Sequence, residues 1–236
     1  MNKKVSIVIP VYNEEKTIKK LLAKVNSVDL SSLGIKKEII VVNDGSKDNT
    51  LTILKKNKKL YTKLISKPNG GKGSALRIGF EAANGDIILM QDADLEYNPN
   101  DYVTLLLPIL QGKTEVVYGS RFKSTEITSP QRWALPTHYL GNKLLSLITS
   151  IFFFKYITDM ETGYKCFTQN VLKKIKLTEN DFTIEPEITT QILKQGFDIL
   201  EVPIHYYARG FEEGKKITWK HGITAVLCII KQRFTR

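Results

Sequence analysis

The stretch Ile87-Ile88-Leu89-Met90-Gln91-Asp92-Ala93-Asp94-Leu95-Glu96 is a run of apolar, strand-forming residues that stops abruptly in three carboxylates at alternate positions. A short apolar run bounded by polar residues suits a strand covered on both faces of a sheet. If the extended backbone continues past Met90, residues 92, 94 and 96 face the same side. Asp92, Asp94 and Glu96 then converge and offer the oxygen donors that a hard divalent cation requires while it also holds phosphate oxygens. The segment therefore points to a metal-diphosphate site at a strand end.

The same pattern recurs outward from this stretch. Apolar runs at Val5 to Pro10, Glu38 to Asn43, Lys63 to Ser66, Asp86 to Gln91 and Glu115 to Tyr118 alternate with amphipathic, Lys-rich segments that begin near Glu15, Lys47, Lys72 and Asn100. This alternation predicts an α/β fold with a mostly parallel central sheet flanked by helices. Ligands of such sheets bind beyond the carboxyl ends of the strands. Four of the runs lead there into polar sequence: Tyr12-Asn13-Glu14, Asn43-Asp44-Gly45-Ser46, Asp92-Ala93-Asp94 and Gly119-Ser120-Arg121.

Asn69-Gly70-Gly71-Lys72-Gly73-Ser74 opens a helix, so its backbone N–H groups and Lys72 are candidates to meet a phosphate. It lacks the glycine spacing of a Walker loop, and a plain helix cap is the alternative. Asp44 reads either as a turn and cap residue or as an acceptor for a nucleobase or ribose. Arg121, Arg132, Arg209, Lys215 and Lys216 are candidate phosphate clamps, the guanidinium being suited to bidentate contact. His138, His205 and His221 are isolated and form no metalloprotease motif, and no Gly-x-Ser-x-Gly elbow is present.

At 236 residues, with 35 basic and 24 acidic side chains and a net charge of +11, the chain suits a single catalytic domain with phosphate-bearing partners or an anionic membrane surface. No stacking pattern of aromatic residues among the lysines points to nucleic acid. The two cysteines, Cys166 and Cys228, have no metal-ligand spacing and suit a reducing compartment. Lys3-Lys4 followed by Val5 to Val11 reads as a first strand, because Asn13-Glu14-Glu15 interrupts what would be a signal sequence. No run reaches the ~18 apolar residues of a spanning helix. Leu140 to Ile157 reads equally as a core helix or an interfacial one. Ile217 to Arg236 is a basic amphipathic segment that suits membrane anchoring or docking.

Taken together, Val8-Ile9-Pro10-Val11-Tyr12-Asn13-Glu14, Val41-Val42-Asn43-Asp44-Gly45-Ser46, Gly71-Lys72-Gly73 and Gln91-Asp92-Ala93-Asp94 resemble family 2 glycosyltransferases. Thr158-Asp159-Met160-Glu161-Thr162-Gly163-Tyr164-Lys165, and Tyr207-Ala208-Arg209 through Gly214-Lys215-Lys216-Ile217, resemble the dolichyl-phosphate mannose or glucose synthase branch. The resemblance implies a GT-A nucleotide-diphospho-sugar fold and inverting transfer of a hexose from a UDP- or GDP-hexose to a polyprenyl phosphate, dolichyl or undecaprenyl. It implies that Pro10, Tyr12, Glu14, Val42 and Asp44 hold the nucleoside, with Lys72, Asp92, Ala93, Arg209 and Lys216 completing the donor site. Asp92, Asp94 and Glu96 would hold Mg2+ or Mn2+. Asp94, Asp159 and Arg121 would be the catalytic residues, with Asp159 and Gly163 lining the sugar pocket. Asn43 departs from the aspartate common at that position, and Glu179-Asn180-Asp181 stands where mannose synthases commonly carry a lysine.

A phosphate monoester is already ionised near neutral pH, with a second pKa of about 6, so such an acceptor needs no strong base. A hydroxyl acceptor on a glycolipid or polysaccharide would need one, and Asp159 is the candidate. A basic, non-catalytic membrane or nucleic-acid binding module is the remote alternative. The expected organisation is one domain over 1–236: a nucleotide-sugar half (1–122), an acceptor-side half (123–210) and a basic C-terminal segment (211–236). The expected location is cytoplasmic, peripheral on the cytoplasmic face of a membrane.

Overall fold

The computed structural model describes residues 3–123, 136–208 and 219–235, with backbone only at 136–138 and 219–221. The expected strands form: β1 (Lys3–Val11), β2 (Ile35–Asp44), β3 (Lys63–Lys67), β4 (Ile87–Met90) and β5 (Val116–Ser120), joined by β6 (Lys165–Thr168) and β7 (Leu200–Pro203). They make one sheet in the order β3-β2-β1-β4-β6-β5-β7. Every pairing is parallel except those of β6, which runs antiparallel to both β4 and β5.

The period of two along β1 divides the core. Val5, Ile7 and Ile9 face α1 (Ile18–Ser27), α2 (Thr50–Lys56) and α4 (Tyr102–Leu110). Val8 faces the other way, with Ile40 and Val42, toward α3 (Lys72–Glu81) and α7 (Ile184–Lys194). Helices thus cover both faces of the sheet. Gly79 brings α3 against β1, since a Cβ there would collide with Val8.

Two helices begin later than their periodicity suggests, α1 at Ile18 and α2 at Thr50. The residues ahead of them are used to interlock the ends of β1 and β2. Asn13, at φ +54°, donates its N–H to Ser46 Oγ (3.0 Å) and accepts from Lys47 N (2.8 Å). Glu14 N donates to Thr50 Oγ1 (2.8 Å).

The stretch that opens at Ile87 departs from expectation at its far end. β4 stops at Met90, and residues 93–95 form a turn in which Leu95 takes φ +66°. Residues 92, 94 and 96 therefore do not share one face of an extended strand.

α5 (Pro136–Phe153) and α8 (Trp219–Phe234) pack on each other beside α7. Leu145, Ile157, Met160, Ala225 and Ile229 form a small core between them, so α5 is a core helix along one side. Along its other side Leu140, Leu144, Leu147 and Ile151 are 54–69% exposed, and Phe154, just past the helix end, is 82% exposed. Among the described residues no helix is long and apolar enough to cross a membrane.

Candidate active site

The turn after β4 is held from behind. Gln91, fully buried, accepts hydrogen bonds from the hydroxyls of Tyr102 (2.7 Å) and Tyr164 (2.8 Å) and donates to the carbonyl of Asp92 (2.9 Å). Asp94 Oδ1 accepts from Glu96 N (3.1 Å), and Glu96 Oε2 accepts from the Tyr206 hydroxyl (2.7 Å). Glu96 is thereby turned toward the segment after β7. The expected three-carboxylate cluster is not assembled: among the described residues no three His, Cys, Asp or Glu side chains are placed to hold a metal ion. Asp92 and Asp94 remain half-buried at the sheet edge. A Cβ on Gly163 would collide with Asp92 Oδ2, so only glycine leaves that oxygen uncovered. Two hard oxygen donors with one kept clear fit a cation that draws its remaining ligands from a diphosphate and water.

The glycine-rich loop overturns its reading as a phosphate cradle. Gly70 N and Gly71 N donate to Asp44 Oδ1 and Oδ2 (2.9 and 2.8 Å), and Asn69 Nδ2 donates to Oδ2 (3.1 Å). Lys67 pairs with the same carboxylate. Further on, Gly73 N and Ser74 N donate to the carbonyls of Asp181 (3.2 Å) and Asn180 (3.0 Å). These N–H groups have protein partners, and the glycines allow the 179–181 segment to approach, since a Cβ on Gly71 or Gly73 would strike it. Asp44 is the organiser of this loop.

Lys72 likewise faces inward. Its Nζ lies 2.7 Å from both Asp92 Oδ1 and Glu185 Oε1. Burial works against its charge, but the two carboxylates more than offset this and hold its pKa well above the usual lysine value. Glu185, itself buried, also pairs with the fully buried Lys165. Burial would raise the Glu185 pKa, yet Lys165 and Lys72 keep it below the ordinary carboxylate value. A chain of alternating charge, Asp92, Lys72, Glu185, Lys165, thus runs from the site into the core.

Glu161 lies beside this chain. Burial pushes its carboxyl from 4.5 up to about 7, with Lys165 opposing the shift and Glu185 reinforcing it. A carboxyl with a raised pKa binds its proton more tightly in the folded state, so stability is present below pH 4.5 and is lost as pH rises through about 7. The shift corresponds to roughly 2–4 kcal/mol. Glu161→Gln is therefore expected to flatten the pH dependence of stability across that window and to be the more stable protein at pH 8, as read by denaturant unfolding at several pH values.

On the far side of the pocket Arg121 is locked to Asp159. Its Nε and Nη2 donate to Asp159 Oδ2 (2.8 Å) and Oδ1 (2.6 Å), and its backbone N–H donates to Oδ2 (2.9 Å). Asp159 is wholly buried, while the Arg121 side chain keeps 12% of its surface. Glu201, on β7, fixes this loop by accepting from Thr158 N and Asp159 N (both 2.9 Å). Tyr97, buried, accepts from Gly163 N (2.7 Å), and the Tyr206 ring touches both the Tyr97 ring, at a tilt of 60°, and the Arg121 guanidinium.

The fold brings Lys72, Asp92, Ala93, Asp94, Asp159 and Arg121 to one sheet edge, with Pro10, Tyr12, Glu14 and Asp44 at the neighbouring ends of β1 and β2. Val42 is a core residue on the α3 face, so its side chain packs rather than lining the pocket. Arg132, Arg209, Lys215 and Lys216 lie outside the described residues. Tyr97, Glu185 and Glu201 were not legible as site residues, because they are distant in sequence from the residues they hold. Gln91 stood in the motif ahead of Asp92, but its role in bracing the turn was not legible.

Comparison with known proteins agrees with this geometry. The model for glycosyl transferase family 2 matches residues 6–175. Over 225 residues the chain is 31% identical to a UDP-N-acetylglucosamine–dolichyl-phosphate N-acetylglucosaminyltransferase of Methanococcus voltae, covering 86% of this chain and 85% of that protein. It is 31% identical to a dolichyl-phosphate beta-glucosyltransferase of Trichomonas vaginalis over 85% of this chain, spanning 65% of that relative's length. In fold it resembles glucosyl-3-phosphoglycerate synthase of Mycobacterium tuberculosis, a crystal structure with Mn2+, UDP and phosphoglyceric acid. The TM-score is 0.73 at 19% identity, covering 99% of this chain and 80% of that one. The helix-flanked, mostly parallel sheet is thus the GT-A fold, and the chain belongs to glycosyl transferase family 2.

Proposed function

We propose that this chain transfers a hexose, with inversion, from a UDP- or GDP-hexose to a polyprenyl phosphate at a membrane surface. The observation that carries this reading is the Arg121–Asp159 pair. The carboxylate that a hydroxyl acceptor would recruit as base is wholly buried and engaged on both oxygens by a guanidinium. It holds the arginine rigid, and a fixed guanidinium beside the pocket suits an anionic acceptor better than it suits proton abstraction. The relatives named for dolichyl phosphate support the same choice.

In this mechanism an acceptor phosphate oxygen attacks the anomeric carbon, the bond from that carbon to the diphosphate breaks, and the electron pair leaves with the nucleoside diphosphate. Attack from the face opposite the leaving group inverts the anomeric centre. Asp92 and Asp94 would hold Mg2+ or Mn2+, which supplies neutralisation of the departing diphosphate. Lys72 balances the charge of Asp92 from behind. Arg121, aligned by Asp159, draws the acceptor phosphate into line, so that positioning and charge neutralisation replace a general base.

The lipid end of the acceptor calls for a surface as well as a pocket. On α5, Leu140, Leu144, Leu147 and Ile151 recur at steps of four and three, as do Ile223, Leu227, Ile230 and Phe234 on the adjacent α8, and Phe154 is exposed just past the end of α5. Lys155, Lys231 and Arg233 stand exposed among them. Two apolar stripes on adjacent helices, edged by cations, suit the interface of an anionic bilayer. The α5 stripe begins next to the site: Tyr139 meets the Phe122 ring edge-on, and Lys143 lies over the Phe122 ring at 4.3 Å.

Incubation with radiolabelled UDP-glucose, UDP-N-acetylglucosamine and GDP-mannose, together with undecaprenyl or dolichyl phosphate and Mg2+ or Mn2+, tests the whole reading. Label should enter the lipid phase from one donor with inverted anomeric configuration. Label that stays aqueous with every donor, or that passes only to a hydroxyl acceptor, refutes it.

A further inference from the structure

Glu161 occupies the turn between Asp159, which locks Arg121, and Gly163, which leaves Asp92 Oδ2 uncovered. Its Oε1 is shielded from solvent and has no hydrogen-bond partner among the described residues. The charged groups close enough to act on it electrostatically include Lys165, Glu185, Arg121 and Lys72, among them the lysine behind the cation site and the arginine on the acceptor side. Glu185 Oε1 also lacks a well-aligned hydrogen bond but sits 2.7 Å from a lysine ammonium. Glu161 has no ion pair of that kind among the described contacts. A desolvated carboxylate oxygen without a donor is costly, and such oxygens are rare unless a ligand or water completes them.

We infer that Glu161 reads the donor sugar, its Oε1 accepting a hydrogen bond from a hydroxyl of the hexose. This deepens the proposed transfer and rests on it. The chemistry selects the sugar among the parts of the reacting complex. The leaving diphosphate and the acceptor phosphate are anions, which a neighbouring carboxylate repels. The hexose carried between them is the neutral, donor-rich part. A buried acceptor that is satisfied only by a substrate hydroxyl discriminates strongly against a sugar that lacks that hydroxyl or points it elsewhere.

The order of residues supports this placement. Gly163 and Asp159 bracket Glu161 at spacings of two, and each is tied to one half of the reaction: Gly163 to Asp92, and Asp159 to Arg121. The residue between them is the one the backbone can direct to the junction of donor and acceptor. Tyr97 fixes the glycine end through Gly163 N, and Glu201 fixes the aspartate end through Asp159 N. The turn that carries Glu161 is therefore anchored on both sides, as a specificity residue requires.

The test is calorimetric titration of the full chain in Mg2+ with UDP, UDP-glucose, UDP-N-acetylglucosamine, GDP and GDP-mannose, for the wild type, Glu161→Gln and Glu161→Ala. Both variants should bind the bare nucleoside diphosphate within about twofold of wild type. The nucleotide sugar that the wild type prefers should bind about tenfold more weakly to Glu161→Gln, which keeps an acceptor oxygen, and about a hundredfold more weakly to Glu161→Ala. The preference among sugars should collapse in parallel. Unfolding curves at pH 8 should show Glu161→Gln at least as stable as wild type, which excludes misfolding as the cause. Equal weakening of nucleotide and nucleotide sugar, or unchanged sugar binding in both variants, overturns the inference while leaving the proposed function standing. A wild type that binds none of the nucleotide sugars overturns both.

Discussion

Asp94→Asn should lower sugar transfer by about a thousandfold while leaving the fold intact. The magnitude follows from the several kcal/mol of charge stabilisation that a bound cation supplies to a departing diphosphate, at 1.36 kcal/mol per factor of ten. The substitution isolates charge from structure, because Asp94 Oδ1 accepts the Glu96 N–H and an asparagine oxygen can accept it equally. Circular dichroism and the denaturation midpoint should therefore match wild type, while Mn2+-dependent binding of the nucleoside diphosphate falls. Glu96→Gln is the informative partner, since the Glu96 carboxylate is bonded to Tyr206 rather than gathered with Asp92 and Asp94. A small loss in that variant fits a two-carboxylate site. A loss as large as that of Asp94→Asn would show that Glu96 rotates to the cation during the reaction. Full activity in Asp94→Asn would remove the proposed role of this turn altogether.

Replacing Leu144, Leu147, Leu227 and Phe234 together by serine should weaken binding to anionic liposomes by at least about a hundredfold. These side chains are 54%, 56%, 60% and 76% exposed, so their removal takes little from the core. Each contributes on the order of 1 kcal/mol when it passes from water into the acyl boundary, and four together exceed the cation contribution that remains. The wild type should sediment with phosphatidylserine-containing vesicles at low salt and release as salt rises, because Lys155, Lys231 and Arg233 supply the electrostatic part. Solution activity on a short-chain, water-soluble prenyl phosphate should be unchanged in the quadruple variant. A wild type that ignores these vesicles, or a variant that binds them as well, refutes the surface.

The alternation of apolar runs with amphipathic segments was enough to read the sheet, because burial on both faces forces each strand to be apolar throughout and each helix to be one-sided. Asp92, Asp94 and Arg121 were legible for a related reason. They are polar residues placed abruptly at the ends of such strands, where a parallel sheet collects its ligands. The glycine-rich loop was misread because sequence shows the donors of a helix N-terminus and not what meets them. Carbonyls from 180 and 181, more than a hundred positions away, and the carboxylate of Asp44 supply partners for them. The carboxylate triplet was misread because the period-two argument holds only while the backbone stays extended, and Leu95 turns it at φ +66°.

Sequence by itself determined the α/β fold and the edge of the sheet at which chemistry occurs, since these follow from periodicity and from polar residues at strand ends, and its motifs carried the resemblance to the family. The tertiary structure alone decided which charges are buried and with what partner. In the linear chain Glu185 and Glu201 are indistinguishable from solvated surface residues, and Lys72 reads as a phosphate contact rather than as a buried partner of two carboxylates. Folded, Lys72 and Lys165 close on Glu185 away from water, and Glu201 closes on the loop that holds Asp159. The strength of a charge interaction depends on the distance and dielectric around it, and both are properties of the packed molecule.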